Sequence, residues 1–393
     1  MKRITQIGIL VVLLLLIIGA VAIFWIVPAK VDRNLNAVVA HDPWPVSAKA
    51  QALHDTIPVA DLHADTFLWM RDPRDRHGRG HVDLPRMREG GMFLQLFTVV
   101  TKSPPDLNYE ENTSEADDIT LLAFAQRWPI RTYDSLLERA RFQAARLRDV
   151  VQTDDDVFLV LTRADLAAAE ARRASHPGTI AALLGTEGAH PLEGQPENID
   201  VLYADGYRVM GLQHFFDNEL GGSLHGITKA GLTDFGRAAV ARMEERGVII
   251  DVAHSSEAVV REVLAMTDRP VILSHTGFKG ACDSARNISD ELMAQIAARG
   301  GLIGVGFWDD AVCDGSPDGV AAMIKYGIDH FGEDAIALGG DYDGSVTTYF
   351  DVSELPALTD ALLRAGLTDD QVVKVMGGNT LRFFLAALPE ELN

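Results

Sequence analysis

The sequence has only two cysteines in 393 residues, Cys282 and Cys313. They permit one disulfide bond but exclude a fold that depends on a disulfide framework, and they are equally compatible with two small buried apolar side chains. Stability must therefore come from a hydrophobic core. With 47% hydrophobic and 23% charged residues, the chain can bury a large core, which excludes disorder and collagen-like repeats.

Basic residues are also scarce. The chain has 35 lysines and arginines against 56 acidic residues, a formal net charge of −21, and its isoelectric point is near 4.9. Proteins that bind the phosphate backbone need a basic surface that displaces counterions. The composition therefore argues against nucleic acid as a partner.

The N-terminus carries a long apolar stretch, in which the 21 residues from Ile7 to Val27 include no charge. As a helix, this run would span roughly 30 Å, the thickness of the hydrocarbon core of a bilayer. A cleaved signal peptide has a shorter apolar region and a small-residue cleavage site, which Val27-Pro28-Ala29 matches poorly. We therefore favour a membrane anchor over residues 1–30, with a signal peptide as the alternative, and predict a tether over residues 31–54.

The two ends of this run carry similar positive charge, Lys2 and Arg3 before it and Lys30 and Arg33 after it. A long folded domain is nevertheless translocated largely regardless of charge, while a short basic N-terminus usually stays in the cytoplasm. We therefore expect a membrane-anchored protein whose catalytic domain is periplasmic or extracellular.

Beyond residue 55, short apolar runs alternate with segments of helical periodicity. The eight runs are 58–62, 92–100, 180–184, 208–212, 248–252, 271–273, 302–306 and 335–338. Helical periodicity is clearest over 235–246, 256–266, 289–299 and 319–330, and a last helix is expected over about 369–388. Eight strand and helix units predict an α/β fold, a (β/α)8 TIM-like barrel. A doubly wound open sheet is the alternative, but no Gly-x-Gly-x-x-Gly turn follows the first strand.

The stretch from residue 102 to residue 174 is too long for a single connection between strands. It carries three helix-like runs, 116–126, 135–151 and 163–173. We predict that it is a helical insertion over the mouth of the barrel, within one domain spanning residues 55–393.

Metal-ligand or proton-carrying residues stand at the ends of six of the eight predicted strands. They are His63 and Asp65, Glu187, His214, His254, His275 and Asp341. The loops that follow barrel strands build one common face, so these side chains are expected to converge there. Any single histidine among the 12 would more often be a core or surface residue, but four at the same structural place on separate strands predict a site.

The residue types indicate the metal. Imidazole nitrogens mixed with carboxylate oxygens suit zinc or a similar divalent ion. Three histidines and two carboxylates are too many for one catalytic ion that must keep an open position. They suffice for two ions about 3.5 to 4 Å apart if one carboxylate bridges them, and Glu187 is central in chain order.

These residues form an ordered series of motifs that resembles the membrane (renal) dipeptidase family of zinc peptidases over roughly residues 55–388. The series consists of His63-x-Asp65, Glu187 in Gly-Thr-Glu-Gly, His214 after Leu-Gln, His254 in Asp-Val-Ala-His, Ser274-His275, Arg286-Asn287 and Gly339-Gly340-Asp341-Tyr342-Asp343-Gly344. Two smaller matches are Leu232-Thr233-x-x-Gly236 and Gly378-Asn379-x-Leu381-Arg382.

The resemblance implies a role for each residue. His63, Asp65 and Glu187 would hold one zinc ion, and Glu187, His254 and His275 a second. His214 and Arg286 would bind substrate, and Asp341 would be the catalytic carboxylate that transfers the proton, with Asp343 ranked second. One departure concerns the pocket wall, because relatives often carry a tyrosine after strand seven where this chain has Phe307-Trp308.

The sequence thus predicts a two-zinc dipeptidase in which a metal-bridging hydroxide attacks the peptide carbonyl. Two alternatives stay open: a hydrolase of N-acyl amino acids or cyclic amides on the same scaffold, and a catalytically silent surface receptor. The expected partners are a dipeptide substrate and the membrane, through the N-terminal helix, and a homodimer is left open.

Overall fold

Eight parallel strands close into a barrel in the computed structural model, which describes residues 2–391. The nine strands of the sheet are β1 (Val59–Ala64), β2 (Met92–Val100), β3 (Val157–Leu159), β4 (Ile180–Glu187), β5 (Tyr207–Gly211), β6 (Ile249–Asp251), β7 (Ile272–Thr276), β8 (Leu302–Val305) and β9 (Ile336–Leu338). The barrel follows the order β1-β2-β4-β5-β6-β7-β8-β9 and closes through pairing of β9 with β1. The predicted (β/α)8 barrel is confirmed, and all eight predicted strands are present.

The extra strand, β3, pairs with the first residues of β4, outside the closed ring. It was not predicted. Its three residues follow Asp154, Asp155 and Asp156, so the segment is too short and too acidic on one side to show a strand pattern.

The described residues form 16 α-helices, of which the first is exposed and the others belong to or contact the barrel domain. They are α1 (Lys2–Val21), α2 (Val27–Leu35), α3 (Ala48–His54), α4 (Leu84–Glu89), α5 (Asp118–Ala125), α6 (Leu136–Thr153), α7 (Arg163–Arg173), α8 (Asn198–Ala204), α9 (Asp234–Arg246), α10 (Glu257–Met266), α11 (Asp290–Ala298), α12 (Asp309–Val312), α13 (Pro317–Phe331), α14 (Leu355–Arg364), α15 (Asp369–Val373) and α16 (Asn379–Ala387). The helices predicted from periodicity are present to within about two residues, as expected for element boundaries.

One sequence motif has a clear structural reason. Thr233 caps α9, because its side chain accepts a hydrogen bond from the backbone N–H of Gly236 at 2.9 Å. Gly236 itself lies against the preceding loop, where a Cβ atom would stand 1.9 Å from the carbonyl oxygen of Leu220. The Leu232-Thr233-x-x-Gly236 motif therefore starts a helix that must approach the loop after β5 closely.

The helix predicted over 369–388 is interrupted. A π-helical turn, Lys374–Gly378, separates α15 from α16, and Gly377 has non-helical backbone angles. A Cβ atom at Gly377 would stand 2.0 Å from the carbonyl oxygen of Pro58. Close packing against the start of β1 therefore breaks the helical periodicity.

Among residues 2–391, one helix is long and apolar enough to cross a membrane. It runs from Thr5 to Leu35 through a π-helical turn at Ala22–Ile26, its apolar window has a mean hydropathy of 3.3, and none of that window is buried. The side chains of Lys2 and Arg3 and the residues 392–393 lie outside the described part of the chain. The predicted anchor region is therefore an exposed apolar helix.

The segment that follows this helix lies against the barrel domain. Asp32 and Asn36 are buried, and Val38 forms a parallel β-bridge with Thr348. In α3, the ring of His54 hydrogen-bonds the hydroxyl of Thr359 and the carbonyl of Gly90, at 2.8 and 3.0 Å. Hydrogen bonds and β-pairing therefore join residues 32–54 to the barrel domain.

Cys282 and Cys313 form a disulfide bond, with their Cα atoms 5.7 Å apart. Of the two interpretations that the sequence allowed, the structure therefore selects the paired one. The bond joins the loop after β7 to the end of α12.

Candidate active site

The strand-end side chains converge at the carboxyl end of the barrel. His63 lies in β1 and His275 in β7, and Glu187 is the last residue of β4. Asp65, His214, His254 and Asp341 follow β1, β5, β6 and β9 within three residues. All seven side chains are buried. Parallel strands bring their carboxyl ends to one face, which is why residues so far apart in sequence meet.

Glu187 is the centre of the cluster. Its Oε1 lies 3.1 Å from Nε2 of His254, 3.4 Å from Nε2 of His275 and 3.5 Å from Nε2 of His63. Its Oε2 lies 3.3 Å from Nε2 of His214. One carboxylate thus faces four imidazole rings that come from four different strands or strand ends.

Three groups of side chains bring their ligand atoms within 4.8 Å of one another and could each hold a metal ion. They are His63, Asp65 and Glu187; Glu187, His254 and His275; and His63, His275 and Asp341. The first two groups share Glu187, as the predicted bridge requires. The third brings Asp341 close to the same positions, with its Oδ1 3.8 Å from Nε2 of His63.

Further side chains fix the orientation of the candidate ligands. The Ser274 hydroxyl lies 3.1 Å from Nδ1 of His63 and 2.9 Å from Nδ1 of His275, while Thr98 donates a hydrogen bond to Oδ1 of Asp65 at 2.7 Å. Each of these contacts occupies the atom that faces away from the cluster. His63 and His275 therefore turn their Nε2 atoms, and Asp65 its Oδ2 atom, inward, which is the arrangement expected of metal ligands.

Two buried carboxylates hold the strand ends themselves. Asp61 accepts hydrogen bonds from the backbone N–H of His63 and of Gly340, at 2.9 and 2.7 Å. Asp251 accepts from the backbone N–H of Ala253 and of Ser274, at 2.9 and 3.0 Å. These carboxylates join neighbouring strands beneath the cluster.

The electrostatics of the cluster fit a bound cation. Nε2 of His63 and Oδ2 of Asp65 are buried, lie 3.5 Å apart and have no hydrogen-bond partner among the described residues. Burial lowers the pKa of His63, but the charges of Glu187 and Asp65 outweigh it and bring the pKa to about 10. Burial raises the pKa of Glu187 well above its usual value, and a divalent ion bound here would supply the positive charge that favours the ionised carboxylate.

Burial favours the neutral form of the other three histidines. Burial lowers the pKa of His254 and His275 well below the usual histidine value, and it lowers the pKa of His214 to about 4. Burial raises the pKa of Asp341 to about 8, an effect that Asp65 reinforces. Neutral imidazoles are the form that ligates metal ions.

The turns after β6 and β9 orient the side chains of His254 and Asp341 through unusual backbone angles. His254 has φ +61° and Asp341 has φ +54°, both in the left-handed region that non-glycine residues seldom occupy. Leu224 donates a backbone hydrogen bond to the carbonyl of His254 at 2.7 Å. Such backbone positions are retained where surrounding structure holds them, and they are frequent at functional sites.

A cavity of about 360 Å³ opens beside the cluster. It is lined by Leu107, Asn108, Tyr109, Glu187, His214, Phe215, His254, Arg286, Asp310, Asp341, Gly344, Ser345 and Val346. Arg286 is buried, and its Nη2 donates to the carbonyl oxygen of His275 at 2.6 Å. Its Nε has no hydrogen-bond partner among the described residues, so the guanidinium keeps binding capacity for a ligand.

The pocket wall after β8 differs from the pattern expected for relatives. Phe307 packs beneath the site against Tyr342 and Phe350, with ring centroids 5.4 and 5.0 Å apart. Trp308 lies beside the cavity, where its Nε1 donates to the hydroxyl of Tyr109 at 2.9 Å. A tyrosine hydroxyl is therefore present here, but it comes from the segment between β2 and β3.

Tyr109, which lies within the segment predicted as a helical insertion, was not predicted as a site residue. Tyr109 does not directly follow a strand, and its position in the sequence shows no regular spacing from the other cavity residues. The expectation that site residues stand at strand ends therefore could not identify it. Phe215 was missed as well, although it directly follows His214 and could have been included with it. The supporting carboxylates Asp61 and Asp251 carry a signal in hindsight, because each stands two or three residues before a candidate ligand histidine.

Asp343, which was ranked second for proton transfer, does not line the cavity. It is buried, and its carboxylate binds Nη2 of Arg71 at 2.7 Å, the backbone N–H of His81 at 2.7 Å and the hydroxyl of Thr66 at 3.0 Å. The residue therefore holds the loop after β9, as a local hydrogen-bonding residue would.

Comparisons with known proteins agree with this geometry. The family model for membrane dipeptidases, peptidase family M19, matches residues 47–389. The chain belongs to this family. The family predicted from the motifs is thereby confirmed. Membership in it supports a hydrolase of the metallopeptidase class that acts as a dipeptidase.

Individual relatives are more distant. The chain is similar to dipeptidase aclJ of Aspergillus oryzae, with 28% identity over 83% of this chain and 77% of the relative. Its fold is similar to that of the metallo peptidase dipeptidase AC, with 25% identity, a TM-score of 0.65 and coverage of 86% and 100% of the two chains. It also resembles a Rhodobacter sphaeroides metallo peptidase liganded with a phosphinate mimic of the dipeptide L-Ala-D-Ala, with 23% identity, a TM-score of 0.63 and coverage of 85% and 99%.

Proposed function

We propose that this member of the membrane dipeptidase family hydrolyses dipeptides with two zinc ions, on the outer side of a membrane to which its N-terminal helix anchors it. The observation that carries the proposal is the position of Glu187, whose Oε1 lies within 3.5 Å of the Nε2 atoms of His63, His254 and His275. A carboxylate so placed can be shared by two neighbouring ions.

His63, Asp65 and Glu187 would hold one ion, and Glu187, His254 and His275 the other. Three imidazole nitrogens and two carboxylates are ligands that zinc prefers, whereas magnesium and calcium favour oxygen alone. Bound zinc supplies Lewis-acid polarisation of the scissile carbonyl and activates water at neutral pH. The hydrogen bonds of Ser274 with His63 and of Thr98 with Asp65 would keep these two side chains oriented for binding an ion.

Arg286 is proposed to bind the free carboxylate of the substrate. Its guanidinium lines the cavity from a buried position and lies 5.5 Å from the ring of Trp308. The planar fork of arginine matches a carboxylate in two parallel hydrogen bonds. A buried, partly unpaired guanidinium at the cavity wall therefore favours substrates with a free C-terminus.

His214 and Asp341 are proposed to act on the scissile peptide bond. Both line the cavity together with Glu187, so both can contact a peptide that is bound in the cavity. His214 would contact the carbonyl oxygen. The Asp341 carboxylate would take a proton from the attacking water and deliver it to the leaving amine. The cavity volume, about 360 Å³, is at the small end of ligand sites, as suits a dipeptide.

The outward orientation of the barrel is supported by the disulfide between Cys282 and Cys313. Disulfide bonds form and persist in the periplasm and outside the cell and are rare in the cytoplasm. The bond therefore favours an oxidising compartment for the barrel. The exposed apolar helix would then cross the membrane next to that compartment.

The test uses the full-length protein purified in detergent, stripped with a chelator and reloaded with zinc. We expect two zinc ions per chain and hydrolysis of free dipeptides at a higher kcat/KM than N-acyl amino acids or cyclic amides. Faster hydrolysis of N-acyl amino acids would assign the alternative substrate class. A protein that takes up no zinc and hydrolyses none of these compounds would contradict the enzyme proposal and favour a silent receptor.

A further inference from the structure

The N-terminal helix touches the barrel domain through α5. The ring of Phe24 lies 5.4 Å from the ring of Phe124, centroid to centroid, and the guanidinium of Arg127 lies 4.1 Å from the ring of Trp25. Phe24 and Trp25 belong to the last turn of the uncharged run Ile7–Val27. Phe124 and Arg127 therefore stand at the depth where that run ends.

Three large apolar side chains in α5 and in the segment that follows it are exposed. Leu121 and Phe124, three residues apart and therefore on the same side of α5, are 69% and 48% exposed, and Ile130 is 80% exposed. We call these three residues the apical apolar surface. Exposed apolar side chains concentrated within ten residues of sequence favour a surface that contacts another apolar body.

The bilayer is the occupant that the geometry favours. The apical apolar surface adjoins a helix whose uncharged run is long enough to span the hydrocarbon core. Trp25 and Arg127, which contact each other, are residue types that anchor proteins at membrane interfaces. The basic residues Lys30 and Arg33, just beyond the apolar run, are exposed. A surface at this depth and next to a spanning helix meets lipid before it meets any soluble partner.

The helix is also joined to the rim of the metal site. Buried Asp32 binds Nε of Arg71 at 2.9 Å and Nε of Arg79 at 2.8 Å. The side-chain oxygen of Asn36 accepts a hydrogen bond from the backbone N–H of Ser345 at 2.9 Å, and Ser345 lines the cavity. The anchor therefore cannot move away from the cavity rim without breaking buried ion pairs.

We infer that the apical apolar surface inserts into the same bilayer as the N-terminal helix, so that the mouth of the metal-site cavity is held at the membrane surface. The inference rests on the membrane anchor in the proposed function. It assigns the barrel itself a lipid contact, in addition to the contact of its anchor.

The test places one cysteine at a time in the full-length protein, which has no free cysteine of its own because Cys282 and Cys313 are paired. The variants are Leu121→Cys, Phe124→Cys and Ile130→Cys, each labelled with a polarity-sensitive fluorophore and reconstituted into phosphatidylcholine vesicles that carry quencher lipids. Met266→Cys is the matched control. Met266 is an apolar residue, 40% exposed, at the end of α10 that leads to the opposite end of the barrel.

We expect probes at the apical apolar surface to shift to shorter emission wavelengths and to be quenched by lipids that carry the quencher near the headgroup, with neither effect at Met266. Probes that behave like the Met266 probe would overturn the inference. A shift without lipid quenching would also overturn it, because protein, such as a second copy of the chain, would then cover the surface.

An Ile17→Cys probe separates this inference from the anchor proposal. Ile17 lies in the middle of the uncharged run and is 60% exposed. Quenching of this probe by quenchers deep in the acyl chains, without quenching at the apical apolar surface, would overturn the lipid contact alone. Absence of quenching at Ile17 would contradict the anchor itself.

Discussion

Replacing Arg71 by methionine tests the buried ion network between the N-terminal helix and the loop after β9. Arg71 is 1% exposed and binds both Asp32 and Asp343, with nitrogen to oxygen distances of 2.9 and 2.7 Å. Methionine keeps much of the side-chain volume but removes the charge. Asp343, which is fully buried, then loses its only arginine partner among the described residues, whereas Asp32 keeps Arg79.

The expected loss of stability follows from burial. Removing one partner of a buried ion pair costs about 3–5 kcal/mol, because the other charge stays buried without compensation. The matched control is Arg74→Met, three residues later. Arg74 binds Asp72 at 2.8 Å, but the two side chains are 36% and 42% exposed, so that loss should be about 0–1 kcal/mol.

The assay is denaturant unfolding of both variants in the same detergent, followed by dipeptide hydrolysis under conditions in which each variant is folded. Asp343 holds the loop that carries Asp341, so Arg71→Met should also lower kcat/KM, by roughly 10- to 100-fold if the loop moves by about 1 Å. Equal unfolding free energies for Arg71→Met and Arg74→Met would refute the reasoning. Full activity in folded Arg71→Met would refute the link to the site.

Three further predictions concern the site and the disulfide. Glu187→Gln should abolish hydrolysis and lower the content of both metal ions, as measured by elemental analysis. Glu245→Gln, at an exposed position, is the control. Unchanged metal stoichiometry in Glu187→Gln would contradict the proposal that Glu187 is shared by both ions. Arg286→Ala should raise KM most for dipeptides with a free carboxylate, and an equal effect on C-terminally amidated dipeptides would show that the guanidinium does not bind that group. Replacing Cys282 and Cys313 by serine should lower the free energy of unfolding by roughly 3–4 kcal/mol, because the disulfide joins residues 31 positions apart. An unchanged free energy of unfolding in the serine variant, or a wild-type unfolding midpoint that a reductant does not lower, would contradict this prediction.

The sequence by itself determined the barrel and the identity of the candidate ligands. The apolar runs recur with helices between them, and parallel strands joined by such crossovers bring their carboxyl ends to one face. His63, Glu187, His254 and His275 could therefore be placed together before any contact was known. Their chemistry, imidazole with carboxylate, is also a property of residue type alone.

Only the tertiary structure decided the contacts that no periodicity encodes. Tyr109 reaches the cavity from a segment that follows no strand end and meets Trp308 across 199 positions of sequence. The ion pairs of Arg71 with Asp32 and Asp343 could not be predicted either, because a buried ion pair leaves no repeating pattern in the sequence. The pairing of the two cysteines and the docking of residues 32–39 on the site rim were likewise open, because long-range contacts depend on how helices and loops pack, which composition and spacing do not specify.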